Sequence, residues 1–251
     1  MIIINVLYAI LISTIAGMST LLGGIIIYLN IKPNNINKFI TLCLMFSLTI
    51  MIGISITDLI PNSFFYVMLS YSSPVNILII LSSFFIGVIL VYIVNKGMDN
   101  SNNALYKLGI LSMLALILHN FPEGIATFIS SIKDVNLGIK LSIAIMLHNI
   151  PEGISIAVPI YYSTQSKKKA LLYTFLSGLA EPLGAVLAYL FLKNYVTDLM
   201  LSIVLLLVAG IMITLSIHEM FPKAKSYNEN NYLYVGLFLG IILIVINHFV
   251  F

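Results

Sequence analysis

"LHNFPEGIA" (Leu118–Ala126) is answered twenty-nine positions later by "LHNIPEGIS" (Leu147–Ser155). Each copy sets an imidazole, an amide, a proline, a carboxylate and a glycine inside an otherwise apolar segment. An ionisable side chain at the centre of a membrane helix costs about 2.5–3.5 kcal/mol by insertion measurements. A chain that accepts that cost twice, with the same residues in the same order, uses them together.

The surroundings are those of a membrane protein. Of 251 residues, 60% are hydrophobic and only 8% charged, against about 25% charged in soluble domains. Mean hydropathy is +1.08. Such a chain cannot cover a globular surface with groups that water tolerates, so the bilayer is its solvent. The net charge of +3 says little about partners. No nucleotide-binding loop, soluble domain or low-complexity tail is present, and no nucleic-acid partner is expected. Cys43 is the one cysteine, so no internal disulfide forms. The opening "MIIINVLYAI" lacks a basic n-region and a small-residue cleavage site, and reads as the start of the first span.

A spanning helix needs roughly 20 apolar residues. Polar or proline-containing breaks fall at "NIKPNNINK", "SYSSPVN", "NKGMDNSNNALYK", "SSIKDVN", "STQSKKK", "KNYVTD" and "PKAKSYNENN". They predict an all-α integral membrane protein with eight transmembrane helices in a single polytopic domain, 1–251. The spans lie near 3–29, 39–66, 76–95, 105–130, 138–162, 170–192, 198–221 and 232–251. Alternate loops, starting with the first, hold Lys32, Lys38, Lys96, Lys107, Lys167, Lys168, Lys169, Lys223 and Lys225; the others hold Lys133, Lys140 and Lys193. Positive residues favour the cytoplasm, so both termini are expected outside. Asp198, in an outer loop, is expected to be silent.

The ionisable residues left inside the spans are Asp58, His119, Glu123, His148, Glu152, Glu181, His218 and Glu219, joined by the neutral donors Asn120 and Asn149. His119 and Glu123 are four apart, which puts both on one helix face. Asn120 lies about 100° round from His119 and reaches the same cavity. Pro122 has no N–H, so the Leu118 carbonyl loses its helical partner and a kink is expected. Gly124 lets a neighbouring helix come close. His148, Asn149, Pro151, Glu152 and Gly153 repeat the arrangement. Spans 4 and 5 run in opposite directions, so the paired motif implies a pseudo-twofold axis in the membrane plane, as in transporters with inverted repeats. "DLIP" (Asp58–Pro61) and "EMFP" (Glu219–Pro222) recur on spans 2 and 7, giving a 3+2+3 arrangement.

Imidazole with carboxylate suits Zn²⁺, Fe²⁺, Mn²⁺ and related ions. Mg²⁺ or Ca²⁺ prefers an all-oxygen site. Glu123, Glu152 and Glu181 would repel one another without cations between them. The remaining candidates carry bland alternatives. Glu181, in "AEPLGA", reads either as a loop-edge acid or as a ligand well inside span 6. Met51 shares a face with Ser55 and Asp58, and a methionine is more often packing than ligand. His218 and Glu219 are either interfacial caps or a metal-pathway pair. His248, near the C-terminus, is incidental.

"HNFPEGIA", "HNIPEGIS", "EPLGA" and "HEMFPKA" together resemble the signature segments of the ZIP family of divalent-metal transporters, and within it the short bacterial zinc-uptake branch. The resemblance covers nearly the whole chain. It implies eight spans, both termini outside, a 3+2+3 arrangement and a midplane two-metal site. His119, His148 and Met51 would bind the primary metal, and Asn120, Asn149 and Glu181 the second. Glu123 and Glu152 would bridge both. His218 and Glu219 resemble a pair on the cytoplasmic exit route. The loop "NKGMDNSNNALYKLG" has none of the histidines that many relatives carry there, which argues against loop-based metal sensing. The resemblance also implies inward transport and a slide of spans 1, 4, 5 and 6.

The expected function is uptake of Zn²⁺, with Fe²⁺, Mn²⁺, Co²⁺ and Cd²⁺, across the plasma or inner cell membrane. The metal is substrate and no cofactor is expected. Partners are divalent metal ions and the lipid bilayer, and a homodimer is one admissible assembly. An intramembrane metalloenzyme is the first competing reading, but H-E-x-x-H is absent: "HEMFP" continues with Phe221 and Pro222 and reaches no second histidine. A magnesium or calcium channel is the other, and both motif histidines argue against it.

Overall fold

The computed structural model describes the backbone of residues 2–28, 33–70, 74–96, 104–192 and 197–250. It describes side chains over the same ranges except 2–5, 33–34, 66–70, 94–96, 104–105, 107–108, 111–112, 115, 118–119 and 247–250. Lys32 and Lys193, and the side chains of Lys96, Lys107 and His248, lie outside the described residues.

With no water to satisfy the backbone in hydrocarbon, each apolar segment closes its hydrogen bonds within itself. Among the described residues every element is helical, and the elements join into eight rods. Helix α1 (Ile2–Gly24) ends in a 3₁₀ turn (Ile25–Tyr28). Helix α2 comprises Pro33–Ile54, a π-turn (Ser55–Leu59) and Ile60–Ser70. Then come α3 (Pro74–Lys96), α4 (Ala104–Lys133) and α5 (Val135–Thr164). Helix α6 runs Lys167–Gly178, Ala180–Leu187 and a π-turn (Ala188–Leu192). Helix α7 runs Asp198–Leu215, a π-turn (Ser216–Met220) and Phe221–Ser226. Helix α8 is Asn230–Val250. Six of these, α1, α2, α3, α5, α6 and α7, are long and apolar enough over their described residues to cross a membrane. Helix α8 contributes a shorter apolar stretch, Asn230–Ile246. The protein is thus an all-helical integral membrane protein.

Side chains punctuate the rods as the sequence suggests. Asp134 alone separates α4 from α5, where a longer break over "SSIKDVN" was expected. Its extended backbone stops one helix, and its carboxylate accepts the Asn136 and Leu137 N–H groups that start the next. Ser166 caps α6 through the Lys169 N–H, and Thr197 caps α7 through the Met200 N–H. Such caps satisfy amides that the first turn leaves open. At 30 residues each, α4 and α5 extend about 45 Å, the bilayer with its headgroups. Pro122 lies inside α4, and Pro151 and Pro159 inside α5, and the helical assignment runs through all three.

The rods sort into two groups. Helices α1, α4, α5 and α6 pack on one another, and α2 packs on α7 and α8 while α3 packs on α7. The groups meet along two seams, α2 against α5 and α4 against α7. The pairing repeats when α1–α3 are exchanged with α6–α8 and α4 with α5: α1 lies on α5 as α6 lies on α4, and α3 on α7 as α8 on α2. Corresponding residues stand 161 positions apart: Gly17 and Gly178, Gly23 and Gly184, Asp58 and Glu219, Pro61 and Pro222. The π-turns of α2 and α7 keep the same spacing. One core cluster, with Met51, Ile145, Phe128 and Met212, draws on both groups.

Candidate metal centre

Helix α4 carries Asn120 and Glu123, α5 carries His148, Asn149 and Glu152, and α6 carries Glu181. None is more than 1% exposed. Close backbone approach assembles them. A Cβ added at Gly124 would overlap the Glu181 carbonyl, and one at Gly153 the Thr20 carbonyl of α1. Each Pro-Glu-Gly therefore does two jobs: the glycine seats its helix against a neighbour, and the glutamate before it enters the space beside the contact. Pro182, lacking an N–H, frees the Gly178 carbonyl, which lies where a side chain at Gly17 would stand.

The contacts link these groups in series. His148 Nε2 lies 3.6 Å from Glu123 Oε2, joining α5 to α4. Asn149 Nδ2 donates to Glu181 Oε1 and to the Ala16 carbonyl at 3.1 Å, joining α5 to α6 and α1. Ser47 on α2 donates to the His148 carbonyl at 3.2 Å. Met51, one turn further along α2, is fully buried. The seam between the groups thus passes beside His148.

Polar satisfaction is poor where it should matter most. Both side-chain atoms of Asn120, both Glu123 oxygens, both His148 nitrogens, Asn149 Oδ1 and Glu181 Oε2 are buried without a hydrogen-bond partner. An unsatisfied buried polar group costs about 1–3 kcal/mol, and such a concentration in a native fold calls for a reason. Carboxylate oxygen, amide oxygen and imidazole nitrogen are together the donor set of a borderline divalent cation. Among the described residues no three His, Cys, Asp or Glu side chains are already drawn around one point. Carboxylates that repel one another have no reason to close without a cation. The side chain of His119 lies outside the described residues; its backbone directly precedes Asn120 in α4.

His218 and Glu219 are not brought to this cluster. Both sit exposed in the π-turn of α7. The His218 ring turns to α3, where the Tyr92 hydroxyl meets Nε2 at 2.8 Å. Asp58 occupies the matching π-turn of α2, its Oδ2 accepting from the Thr57 hydroxyl at 2.5 Å. A narrow recess beside Asp58 is lined by Asn62, Lys140, Leu141 and Ala144. Asp198 is not a bystander: it pairs with Lys133 at 2.6 Å, across the α4–α7 seam. Sequence reading missed Tyr92, that pair and Thr20, whose buried hydroxyl has no hydrogen-bond partner. Thr20 stands 161 positions before Glu181, and that spacing was the available signal.

An all-helical membrane protein with carboxylates, amides and an imidazole buried where three helices meet belongs among the polytopic proteins that handle cations within the bilayer. Residues 99–248 match the family described as ZIP Zinc transporter. The chain is 35% identical to the zinc transporter ZupT of Clostridium perfringens, covering 98% of this chain and 97% of that protein. It is 38% identical to the ZupT of Oceanobacillus iheyensis, with 97% of each covered, and 33% identical to that of Streptococcus mutans, again with 97% of each covered. The chain belongs to the ZIP zinc transporter family, whose members are multi-pass transporters of metal ions and not enzymes.

Proposed function

We propose that this chain carries Zn²⁺ into the cytoplasm through a two-metal site at the centre of α4, α5 and α6, and that Fe²⁺, Mn²⁺, Co²⁺ and Cd²⁺ use the same path. The observation that carries the reading is the cluster of buried, hydrogen-bond-poor donors repeated on α4 and α5. His119, His148 and Met51 serve the primary metal. Asn120, Asn149 and Glu181 serve the second, and Glu123 and Glu152 bridge them. His218 and Glu219 receive the ion on the cytoplasmic side. The site belongs to one polytopic domain of eight spans in a 3+2+3 inverted repeat, and the reciprocal helix pairing supports that arrangement. Loop lysines set both termini outside the cell membrane. The packing of α1, α4, α5 and α6 as one group supports a slide of that group past the other, which exposes a central site to each side in turn.

Metal stoichiometry of purified protein, read beside uptake into proteoliposomes, tests the site. Asn120→Ala or Glu181→Ala leaves one metal bound and reduces uptake in part, because an amide is a weak donor to Zn²⁺. The double change His119→Ala with His148→Ala removes nearly all flux. A parent protein that binds a single ion at saturating Zn²⁺ rejects the two-metal site.

A further inference from the structure

A methionine outside the motifs occupies a telling place. Met212 of α7 is 1% exposed, and its counterpart 161 positions earlier is Met51, fully buried on α2. Four residues on from each stands a serine, Ser55 and Ser216, that opens a π-turn. The Ser55 hydroxyl lies 2.7 Å from the Met51 carbonyl and 3.9 Å from the Met212 sulfur. One hydroxyl thus spans both methionine positions where α2 meets α7. Ser216 Oγ is fully buried with no hydrogen-bond partner, one turn from Met212. π-Turns are rare and gather at functional sites. Two at matching positions, each preceded by a buried methionine and opened by a buried serine, form a built feature of the α2–α7 contact.

Packing alone explains most buried methionines, since the unbranched chain fills irregular gaps. Here the core around the pair is mostly Leu, Ile, Val and Ala, with Phe128 among them and Leu205 and Val208 on the turns before Met212. An aliphatic residue at 212 would have filled it without placing a sulfur against the Ser55 hydroxyl. We propose that Met212 is a second thioether on the metal path, so that Met51 and Met212 together form a softness filter. The filter favours polarisable ions such as Cd²⁺ and Zn²⁺ over hard ions such as Mn²⁺, because thioether sulfur binds soft cations selectively. This rests on the proposed role of Met51 at the primary metal, and it adds a selectivity-determining residue on the opposite helix.

The test uses the full chain in proteoliposomes, with Cd²⁺ and Mn²⁺ competing for uptake. Met212→Leu conserves volume and is tolerated in cores. It lowers the Cd²⁺-to-Mn²⁺ uptake ratio by about threefold or more, as loss of a soft ligand requires. Met212→Cys keeps a sulfur and holds the ratio near the parent's. X-ray absorption at the cadmium edge shows fewer sulfur scatterers in Met212→Leu than in the parent. Met51→Leu provides the second arm. If Met51→Leu shifts the ratio and Met212→Leu does not, the inference is overturned while the primary site stands. If neither shifts it, Met51 is not a ligand and both fall. An equal loss of both ions in Met212→Leu, with unchanged sulfur scattering, assigns Met212 to packing and also overturns the inference.

Discussion

Glu123 shows what a single residue does at the centre. It is 1% exposed, neither oxygen has a hydrogen bond, and its described polar neighbour is the His148 ring at 3.6 Å. A neutral amide would suit that pocket better than a carboxylate, which fits the proposed role of Glu123 at the metal. Glu123→Gln keeps the shape and removes the charge. Because each tenfold change corresponds to about 1.4 kcal/mol, loss of one carboxylate–cation contact lowers zinc uptake by about tenfold or more. The variant should be no less thermostable than the parent without metal, since it relieves a desolvated charge. Glu229→Gln, at the loop before α8, leaves uptake unchanged and is a cleaner control than Asp198, which is held by Lys133. Equal losses at Glu123 and Glu229 would mark a folding defect instead.

At the level of the element, the junction of α4 and α5 depends on one side chain. Asp134 accepts two amides of the α5 first turn and is the only residue between two 30-residue helices that carry the site. Asp134→Ala removes that cap and costs about 0.5–2 kcal/mol, read as a lower melting temperature in detergent. Asp134→Asn or Asp134→Ser retains most of the stability, because each still offers a capping oxygen. The helical, membrane-embedded character was legible in the sequence, since long apolar runs follow directly from the bilayer, but the single-residue break at Asp134 was not, because a longer break over "SSIKDVN" was expected. The paired motif was legible too, because two copies of one polar pattern are improbable in hydrocarbon. What stayed hidden depends on neighbours remote in the chain. Nothing local to α3 marks Tyr92 as the partner of His218. Nothing in "SIHEM" announces a π-turn, and Lys133 and Asp198 are ordinary residues until α4 and α7 pack.

At the level of the whole molecule, the two groups of helices meet chiefly along α2–α5 and α4–α7 among the described residues, and the cluster of donors belongs to one group while Met51 and Met212 belong to the other. If the groups slide as proposed, the site carries Glu123, His148 and Glu181 past Met51 and Met212. Lys133 and Asp198 mark that boundary at the end of α4, with about 30% of each side chain exposed to reagents. A partly exposed ion pair contributes about 0–1 kcal/mol, so Lys133→Ala changes uptake by less than about fivefold. A covalent tie at the same place is another matter. With Cys43 replaced by Ala, cysteines at Lys133 and Asp198 joined by a short thiol cross-linker fasten the two groups. Cysteines at Ser63 and Ser202, where the Ser202 hydroxyl reaches the Ser63 carbonyl at 2.8 Å, fasten α2 to α7 within one group. If the groups slide, the first cross-link abolishes zinc uptake and a reducible linker restores it on cleavage, whereas the second leaves uptake intact. Full uptake with the Lys133–Asp198 positions tied would show that the groups do not move relative to each other there, and the ion would have to pass through a rigid framework.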